Sequence, residues 1–282
     1  MTAPAPTWST VVARVAADDA DVVSGLLWDA GVSGVEERAV GDGAVIELRA
    51  GVPDELVAEV AGAVADRAEV VVEPVPDDGL DGWRAYARPW RAGSRTVVVP
   101  SWQEPPSWAG ADDLVLSIDP GRAFGSGAHP TTRMCLAELE RLVEPAAAVA
   151  DVGCGSGVLA VAAARLGAAL VVAVDIDDEA VRATAENAIR NDVAGVVVAS
   201  DTPAAELEAG AYDVVMANIA AGTLVELAPA LVRAAADDGT VVVSGLLDEQ
   251  AAAVLAAFEA QGLSLAGTVA DDEWRTLLVR RA

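Results

Sequence analysis

A glycine-rich turn carries the most specific chemistry in this sequence. Glycines occupy alternate positions at Gly153, Gly155 and Gly157, directly after an apolar segment typical of a buried strand and directly before a helix pattern. They let the backbone turn tightly and approach a ligand that a Cβ atom would exclude. Asp175 ends the next apolar strand, where its carboxylate can accept hydrogen bonds from both hydroxyls of a ribose. The turn and the acid together predict a nucleoside-binding site.

Two cofactors compete for this turn. The segment Gly155–Ala160 also satisfies the glycine pattern of dinucleotide-binding proteins, although such a match alone is a weak signal. Asp151 at the strand end favours S-adenosylmethionine, because a carboxylate can lie near the cationic methionine end of that ligand and would repel a pyrophosphate. His129 is the only imidazole available for proton transfer and lies upstream of the sheet, which argues against a dehydrogenase. We favour S-adenosylmethionine over NAD, with a turn that serves only packing as the structural alternative.

A second candidate is Asn218, near the end of the apolar segment Tyr212–Ile219. Its side-chain amide offers an acceptor and two donors on the ligand side of the sheet, within reach of a reacting amine, so we expect a catalytic role. Buried asparagines often only tie down a loop, and that alternative stays open. No proline-proline-aromatic run follows Asn218, which argues against the usual exocyclic-amine DNA methylases.

A third candidate is the turn-rich segment Asp119–Thr132, which precedes a predicted helix. Thr131 or Thr132 could cap that helix through its hydroxyl group. Phe124 lies among glycines in the same segment, which predicts a loop that closes over a ligand.

Alternating strand and helix patterns must position these residues from about Leu114 onward. Continuous apolar strands separated by helices predict an α/β fold, a parallel sheet with helices on both faces and ligands beyond the carboxyl ends of its strands. The predicted strands are 148–152, 170–175, 196–199, 212–217 and 240–245, and the predicted helices are 158–166, 178–190 and 223–235. A helix at 248–261 and strands at 263–269 and 276–279 would add an antiparallel edge.

The first part of the chain predicts a separate small domain at residues 1–73. Strand patterns lie at 10–16, 32–36, 44–48 and 69–73, and helices are predicted to open at Asp18 and near Pro53, the first with Val22, Val23, Leu26 and Leu27 on one face. The resulting β-α-β-β-α-β order is that of a ferredoxin-like α+β domain, which more often recognises a partner than performs chemistry.

Residues 74–113 separate this domain from a predicted catalytic domain at 114–282. Prolines and tryptophans are frequent in this segment, which is typical of a semi-rigid connector packed against its neighbours. A substrate-facing role for Trp83 or Trp90 is the functional alternative.

The composition excludes several classes of protein. All 18 basic residues are arginine against 44 acidic ones, a net charge of −26, so lysine-dependent mechanisms are excluded. With a pI near 4.1, contact with nucleic acid is not expected and a macromolecular partner should be basic. The two cysteines have neither metal-binding nor disulfide spacing. Because we find no signal-peptide pattern and no apolar run of membrane-spanning length, we expect a cytoplasmic protein. We also expect it to be a monomer and to bind no metal.

In these residues and their surrounding motifs, the chain resembles the bacterial ribosomal protein L11 methyltransferases of the PrmA type, over roughly residues 83–282. In the motif AFGSG at residues 123–127, Ser126 stands where threonine is usual in that family, and it keeps the hydroxyl group. The resemblance rests on the segments WRAYARPWRAGSRTVVVPSW, DPGRAFGSGAHPTT, DVGCGSGVLAVAA, VDID with Asn187, Ala188 and Asn191 after it, DVVMANIAAGTLVELAP, SGLL and the pair Glu273 and Trp274.

The resemblance implies a Rossmann-like class I fold and methyl transfer from S-adenosylmethionine to amino groups of the ribosomal protein, on lysine side chains, the N-terminal amine or both. A small-molecule or other-protein N-methyltransferase and an NAD-binding regulator remain alternatives. The expected cofactor-binding residues are Thr132, Gly153, Asp175 and Asn218 by motif match, together with Gly155 and Phe124. Asn218 would also lie beside the acceptor nitrogen, in a weakly charged pocket, since a nearby carboxylate would oppose loss of the amine proton. The N-terminal domain is implied to recognise the substrate.

Overall fold

The computed structural model describes residues 8–32, 34–41, 44–74, 87–119 and 129–281. The chain divides into two compact units, Met1–Tyr86 and Ala87–Ala282. Trp83 and Phe124, for which roles were predicted, lie outside the described residues. Within those residues, no helix is long and apolar enough to cross a membrane.

The first unit contains an antiparallel sheet with two helices packed against it. Its core is formed by apolar side chains such as Val11, Leu27, Leu48 and Val64. The sheet has the order β2-β3-β1-β4, which is the predicted ferredoxin-like arrangement. The elements are β1 (Trp8–Ala16), α1 (Ala20–Asp29), β2 (Glu36–Val40), β3 (Val45–Pro53), α2 (Val57–Val64) and β4 (Glu69–Pro74).

Three details of the first unit differ from the sequence prediction. The strand expected at 32–36 instead begins at Glu36, because a short apolar run does not distinguish a strand from a packed loop. Pro53 ends β3 and does not open a helix, since its fixed φ suits either place. Val22 is 50% exposed, because only a narrow stripe of the short helix α1 faces the sheet.

The second unit begins with a small sheet, and two of its three strands lie in the segment predicted to be a connector. The strands β5 (Trp90–Ala92), β6 (Thr96–Pro100) and β7 (Leu114–Ile118) form this sheet in that order. Trp90 is only 8% exposed, and the guanidinium of Arg133 lies 5.3 Å from its ring centroid. The limits of the connector at 74 and 113 remain a prediction, but its described C-terminal part is structured.

A seven-stranded sheet forms the centre of the second unit, with the order β10-β9-β8-β11-β12-β14-β13. Its first five strands are parallel, and β14 runs antiparallel to both of its neighbours, as the sequence predicted. The strands are β8 (Ala148–Val152), β9 (Leu170–Val174), β10 (Val197–Ser200), β11 (Tyr212–Asn218), β12 (Ala235–Leu247), β13 (Leu263–Asp271) and β14 (Trp274–Arg281).

Helices cover both faces of this sheet. One apolar core lies beside α3 and α4, and another lies beside α6 and α7. The helices are α3 (Pro130–Leu142), α4 (Val158–Leu166), α5 (Asp178–Arg190), α6 (Ala221–Ala234) and α7 (Asp248–Glu259). The strand order reverses between β8 and β11, which pair with each other. A crevice for ligands is expected beyond the carboxyl ends of those two strands.

Candidate active site

A cavity of about 650 Å³ lies where the strand order reverses, beyond the carboxyl ends of β8, β9 and β11. This volume is in the range of small-molecule and cofactor sites. Asp175 is the only acid, and there is no arginine, among the described residues that line it. Its other polar groups are mainly threonine hydroxyls, His129 and the Asn218 amide. The cavity is therefore mostly apolar, with its negative charge confined to one position.

The glycine turn follows β8 in the conformation that its residue types predict. Gly153 has φ +75° and Gly157 has φ +76°, values that residues with a side chain rarely adopt. A Cβ atom on Gly153 would lie 2.3 Å from Cγ2 of Ile219, and one on Gly157 would lie 2.8 Å from the Cα of Thr184. The turn thus packs directly against the segment after β11 and against α5, which leaves no space for larger residues.

Asp175 follows β9 and is oriented by the backbone around it. Its Oδ2 accepts a hydrogen bond from the Gly155 amide at 2.9 Å, and its Oδ1 accepts one from the Asp177 amide at 3.1 Å. An ionised carboxylate has about four acceptor positions, so each oxygen can still accept a hydrogen bond from a ligand. Ile176 beside it lines the cavity and is 99% exposed.

A hydrogen bond connects β11 to α3 on another wall of the cavity. The side-chain Nδ2 of Asn218 donates to Oγ1 of Thr132 at 3.3 Å. Thr132 is buried in the first turn of α3, whereas Asn218 is the last residue of β11 and lines the cavity. With its amide group held this way, Asn218 presents the acceptor Oδ1, which no donor among the described residues occupies.

His129, rather than either predicted threonine, caps α3. The Thr131 amide donates to His129 Nδ1 at 3.4 Å, and the Thr131 hydroxyl lies 2.8 Å from the same nitrogen. Pro130 is the first helical residue, so both threonines lie inside the first turn. The His129 ring packs edge-on against Trp274 with centroids 4.6 Å apart. These two aromatic side chains form part of the cavity wall.

Asp151 does not lie where the sequence suggested. Its carboxylate is 1% exposed, and Oδ2 accepts a hydrogen bond from the Ala160 amide in the first turn of α4 at 3.1 Å. Its Oδ1 has no partner among the described residues. Side chains alternate between the faces of a strand, and Asp151 lies beneath the turn while Val152 lines the cavity. Burial raises the pKa of Asp151 to about 7.

A family model described as ribosomal protein L11 methyltransferase (PrmA) matches residues 54–282. The chain belongs to this family. The PrmA relative from Pelobacter propionicus is 44% identical over 211 residues, which cover 73% of this chain and 67% of the relative. The one from Pelotomaculum thermopropionicum is 47% identical over 204 residues, which cover 72% of this chain and 66% of the relative. The matches thus span about two thirds of those PrmA proteins.

A solved structure of a PrmA protein supports the fold. The crystal structure of ribosomal protein L11 methylase from Lactobacillus delbrueckii subsp. bulgaricus has a TM-score of 0.62 and 32% identity, and covers 69% of this chain and 99% of that chain. The predicted class, a Rossmann-like methyltransferase fold with a small additional α+β unit, is confirmed.

In this chain the cavity brings together most of the predicted site residues. Thr132, Gly153, Gly155, Asp175 and Asn218 all line it, and Phe124 is outside the described residues. Sequence reasoning gave no site role to three further lining residues. The available signals were an isoleucine between two aspartates for Ile176, the single histidine for His129, and a tryptophan after an acid for Trp274.

Proposed function

We propose that this protein transfers methyl groups from S-adenosylmethionine to amino groups of ribosomal protein L11, on lysine side chains, the N-terminal amine or both. One observation carries the proposal: the Asn218 amide, oriented by Thr132, shares a cavity with the glycine turn and Asp175. The acid that we propose binds the nucleoside and the amide that we propose binds the amine therefore face the same space.

The residues present fit S-adenosylmethionine. The Asp175 carboxylate, already oriented by two backbone amides, would accept hydrogen bonds from the ribose hydroxyls. Ile176 offers an exposed apolar side chain against which a base can pack. The turn at Gly153 and Gly155 permits close backbone approach of the methionine part. No arginine lies among the described lining residues and the chain has no lysine, which is compatible with a ligand that carries a sulfonium charge.

When bound, S-adenosylmethionine supplies an electrophilic methyl group. The protein must then hold a neutral amine in line with that methyl group and exclude water. We propose that Oδ1 of Asn218 accepts a hydrogen bond from the amine, so that the nitrogen lone pair is directed at the methyl carbon. The hydrogen bond to Thr132 keeps the amide from rotating away.

The acceptor amine must lose a proton before it reacts. A lysine amine has an ordinary pKa of about 10.4 and an α-amino group one of about 7.7 to 8.0. An apolar wall lowers the pKa of a bound amine, and a nearby carboxylate would raise it. Because Trp274, Val152 and Ile219 line the cavity and Asp175 is its only described acid, the cavity favours the neutral amine.

We also propose that residues 1–73 recognise the protein substrate, with 74–113 as connector and 114–282 as catalytic domain. The net charge of −26 favours encounter with a basic protein and opposes contact with RNA. We propose further that the protein acts as a cytoplasmic monomer.

Intact-mass analysis of ribosomal protein L11, after incubation with enzyme and S-adenosylmethionine, tests the proposal. Mass increases in whole methyl increments, absent without enzyme, are the expected result. An unmodified ribosomal protein together with methylated small amines would instead indicate a small-molecule methyltransferase. Calorimetric binding of NAD without binding of S-adenosylmethionine would indicate the dinucleotide-binding alternative.

A further inference from the structure

Asn187 near the end of α5 and Asn191, its C-cap residue, bind backbone groups at and just after the end of β7. Asn187 and Asn191 are 0% and 3% exposed. The Asn191 side chain bonds both the amide (2.9 Å) and the carbonyl (2.7 Å) of Ser117. The Asn187 side chain bonds the amide (2.9 Å) and the carbonyl (2.7 Å) of Asp119 in the same way. Each side-chain amide thus pairs with both backbone groups of one residue.

The spacing of a helix explains how two asparagines can do this. Positions four apart on an α-helix advance by about 6 Å, and positions two apart on a strand advance by about 6.6 Å. Asn187 and Asn191 therefore match Asp119 and Ser117 in pitch. One edge of β7 pairs with β6. The side-chain amides of the two asparagines bind backbone groups on the other edge, which no further strand of the three-stranded sheet reaches.

The two asparagines differ in the partner of their other amide hydrogen. In Asn191, the C-cap residue of α5, it goes to the carbonyl of Asn187 one helical turn earlier, at 2.8 Å. In Asn187 it goes to the carbonyl of Ser156 in the glycine turn, at 2.9 Å. The Asn187 Oδ1 also accepts from Arg190 at 2.7 Å. Asn187 therefore joins β7, α5 and the glycine turn, whereas Asn191 joins only β7 and α5.

Thr184, one helical turn earlier, binds the adjacent carbonyl of the turn. Its hydroxyl lies 3.1 Å from the carbonyl oxygen of Gly155 and 3.3 Å from Sγ of Cys154. With the Gly155 and Ser156 carbonyls both held by α5, the orientation of two successive peptide planes is set. The Gly155 amide in the same turn donates to Asp175, so rotation of those planes would disturb that contact.

We propose that Asn187 is a positioning residue for the cofactor site. It does not line the cavity, but it holds the glycine turn in the conformation that receives S-adenosylmethionine. This inference rests on the proposed function, since it assumes that this cofactor binds at the turn.

Asn191→Ala is the matched control for Asn187→Ala in the full-length protein. Both variants remove a buried amide that pairs with β7, so both should lower the thermal unfolding midpoint to a similar extent. The dissociation constant for S-adenosylmethionine, measured by calorimetry, should rise about tenfold in Asn187→Ala and less than about twofold in Asn191→Ala. At saturating cofactor, turnover of Asn187→Ala should return to within about twofold of wild type, because positioning acts through cofactor affinity.

Thr184→Val tests the same idea without touching β7. It removes the hydroxyl that holds the Gly155 carbonyl and should also weaken cofactor binding, by about fivefold. If Asn187→Ala does not fold, this variant decides, and an unchanged dissociation constant overturns the inference. Equal dissociation constants for Asn187→Ala and Asn191→Ala also overturn it. A wild-type protein that does not bind S-adenosylmethionine overturns the proposed function itself, which separates the two failures.

Discussion

The side-chain amide of Asn218 donates to the hydroxyl of Thr132 at 3.3 Å, although 86 positions separate the two residues. The bond joins the end of the strand β11 to the first turn of α3, so two separate elements fix the orientation of one amide. An amide held in this way can direct an amine without a change of its own conformation, which is the requirement for catalysis by orientation.

Removal of the Asn218 side chain should therefore affect turnover more than cofactor binding. We expect Asn218→Ala to lower kcat by about a hundredfold and to change the dissociation constant for S-adenosylmethionine by less than about threefold. Single-turnover kinetics and calorimetry measure the two quantities. Thr132→Ser, which keeps the hydroxyl, is the control and should retain most of the activity. Equal losses of turnover and affinity in Asn218→Ala would make Asn218 only a cofactor ligand.

Asp175→Ala should have the opposite profile. Its carboxylate offers charge-assisted hydrogen bonds to a ribose, and its loss also frees the amides of Gly155 and Asp177. We expect cofactor affinity to fall by about ten- to a hundredfold, with turnover largely restored at high cofactor concentration. Unchanged binding in calorimetry would exclude Asp175 from the cofactor site.

Asp151 should make the stability of the protein depend on pH. Burial raises its pKa from 3.8 to about 7. Between those values the folded state keeps a proton that the unfolded state has lost, so this contribution to stability falls as pH rises from about 4 to about 7. Asp151→Asn cannot ionise. The free energy of unfolding of the variant relative to wild type, from urea titrations, should therefore increase by about 2 kcal/mol between about pH 5.5 and pH 8. Parallel pH profiles of the two proteins would contradict the assignment.

Glu140 should stabilise the small sheet at neutral pH. Burial raises its pKa, but hydrogen bonds from the Ser94 hydroxyl and from the amides of Ser94, Arg95 and Thr96 outweigh that effect and lower the pKa to about 2. Its contribution is thus complete above the ordinary pKa of 4.5 and is lost as pH falls toward 2. Glu140→Gln should lower the free energy of unfolding at pH 7 by about 1–3 kcal/mol. A loss that stays the same at about pH 3 would argue against an ionised Glu140.

Removal of residues 1–73 should separate recognition from cofactor binding. The second unit has its own apolar cores, so the truncated chain should still bind S-adenosylmethionine with an affinity close to that of the full chain. Methylation of ribosomal protein L11, followed by intact mass, should be lost. Full methylation by the truncated protein would refute a recognition role for this unit.

The sequence predicted the central sheet well for a physical reason. Strands buried on both faces are mostly continuous apolar runs, as in Leu170–Val174 and residues 214–217 of β11, and the glycines after β8 mark a tight turn. The small sheet was not predicted as strands, because prolines and tryptophans conceal its short runs, and its turn is held by Glu140, a residue more than forty positions later.

Within the site, the sequence located residues but not their orientation. Gly153, Asp175 and Asn218 lie at strand ends, where strand order alone brings them together. The direction of the Asp151 side chain depends on strand register, and capping by His129 depends on side-chain geometry that the more common capping residues did not suggest. Both features follow from the folded structure and could not be predicted from the sequence.

The pairing of Asn187 and Asn191 with β7 also bears on solubility. A strand with unpaired amides and carbonyls along one edge is a template for another chain and a common origin of aggregation. At Ser117 and Asp119 these groups are already bonded to side chains of the same molecule. One helix and its C-cap residue thereby protect the end of a sheet edge from intermolecular pairing without an additional strand, and loss of either asparagine should expose that edge during expression.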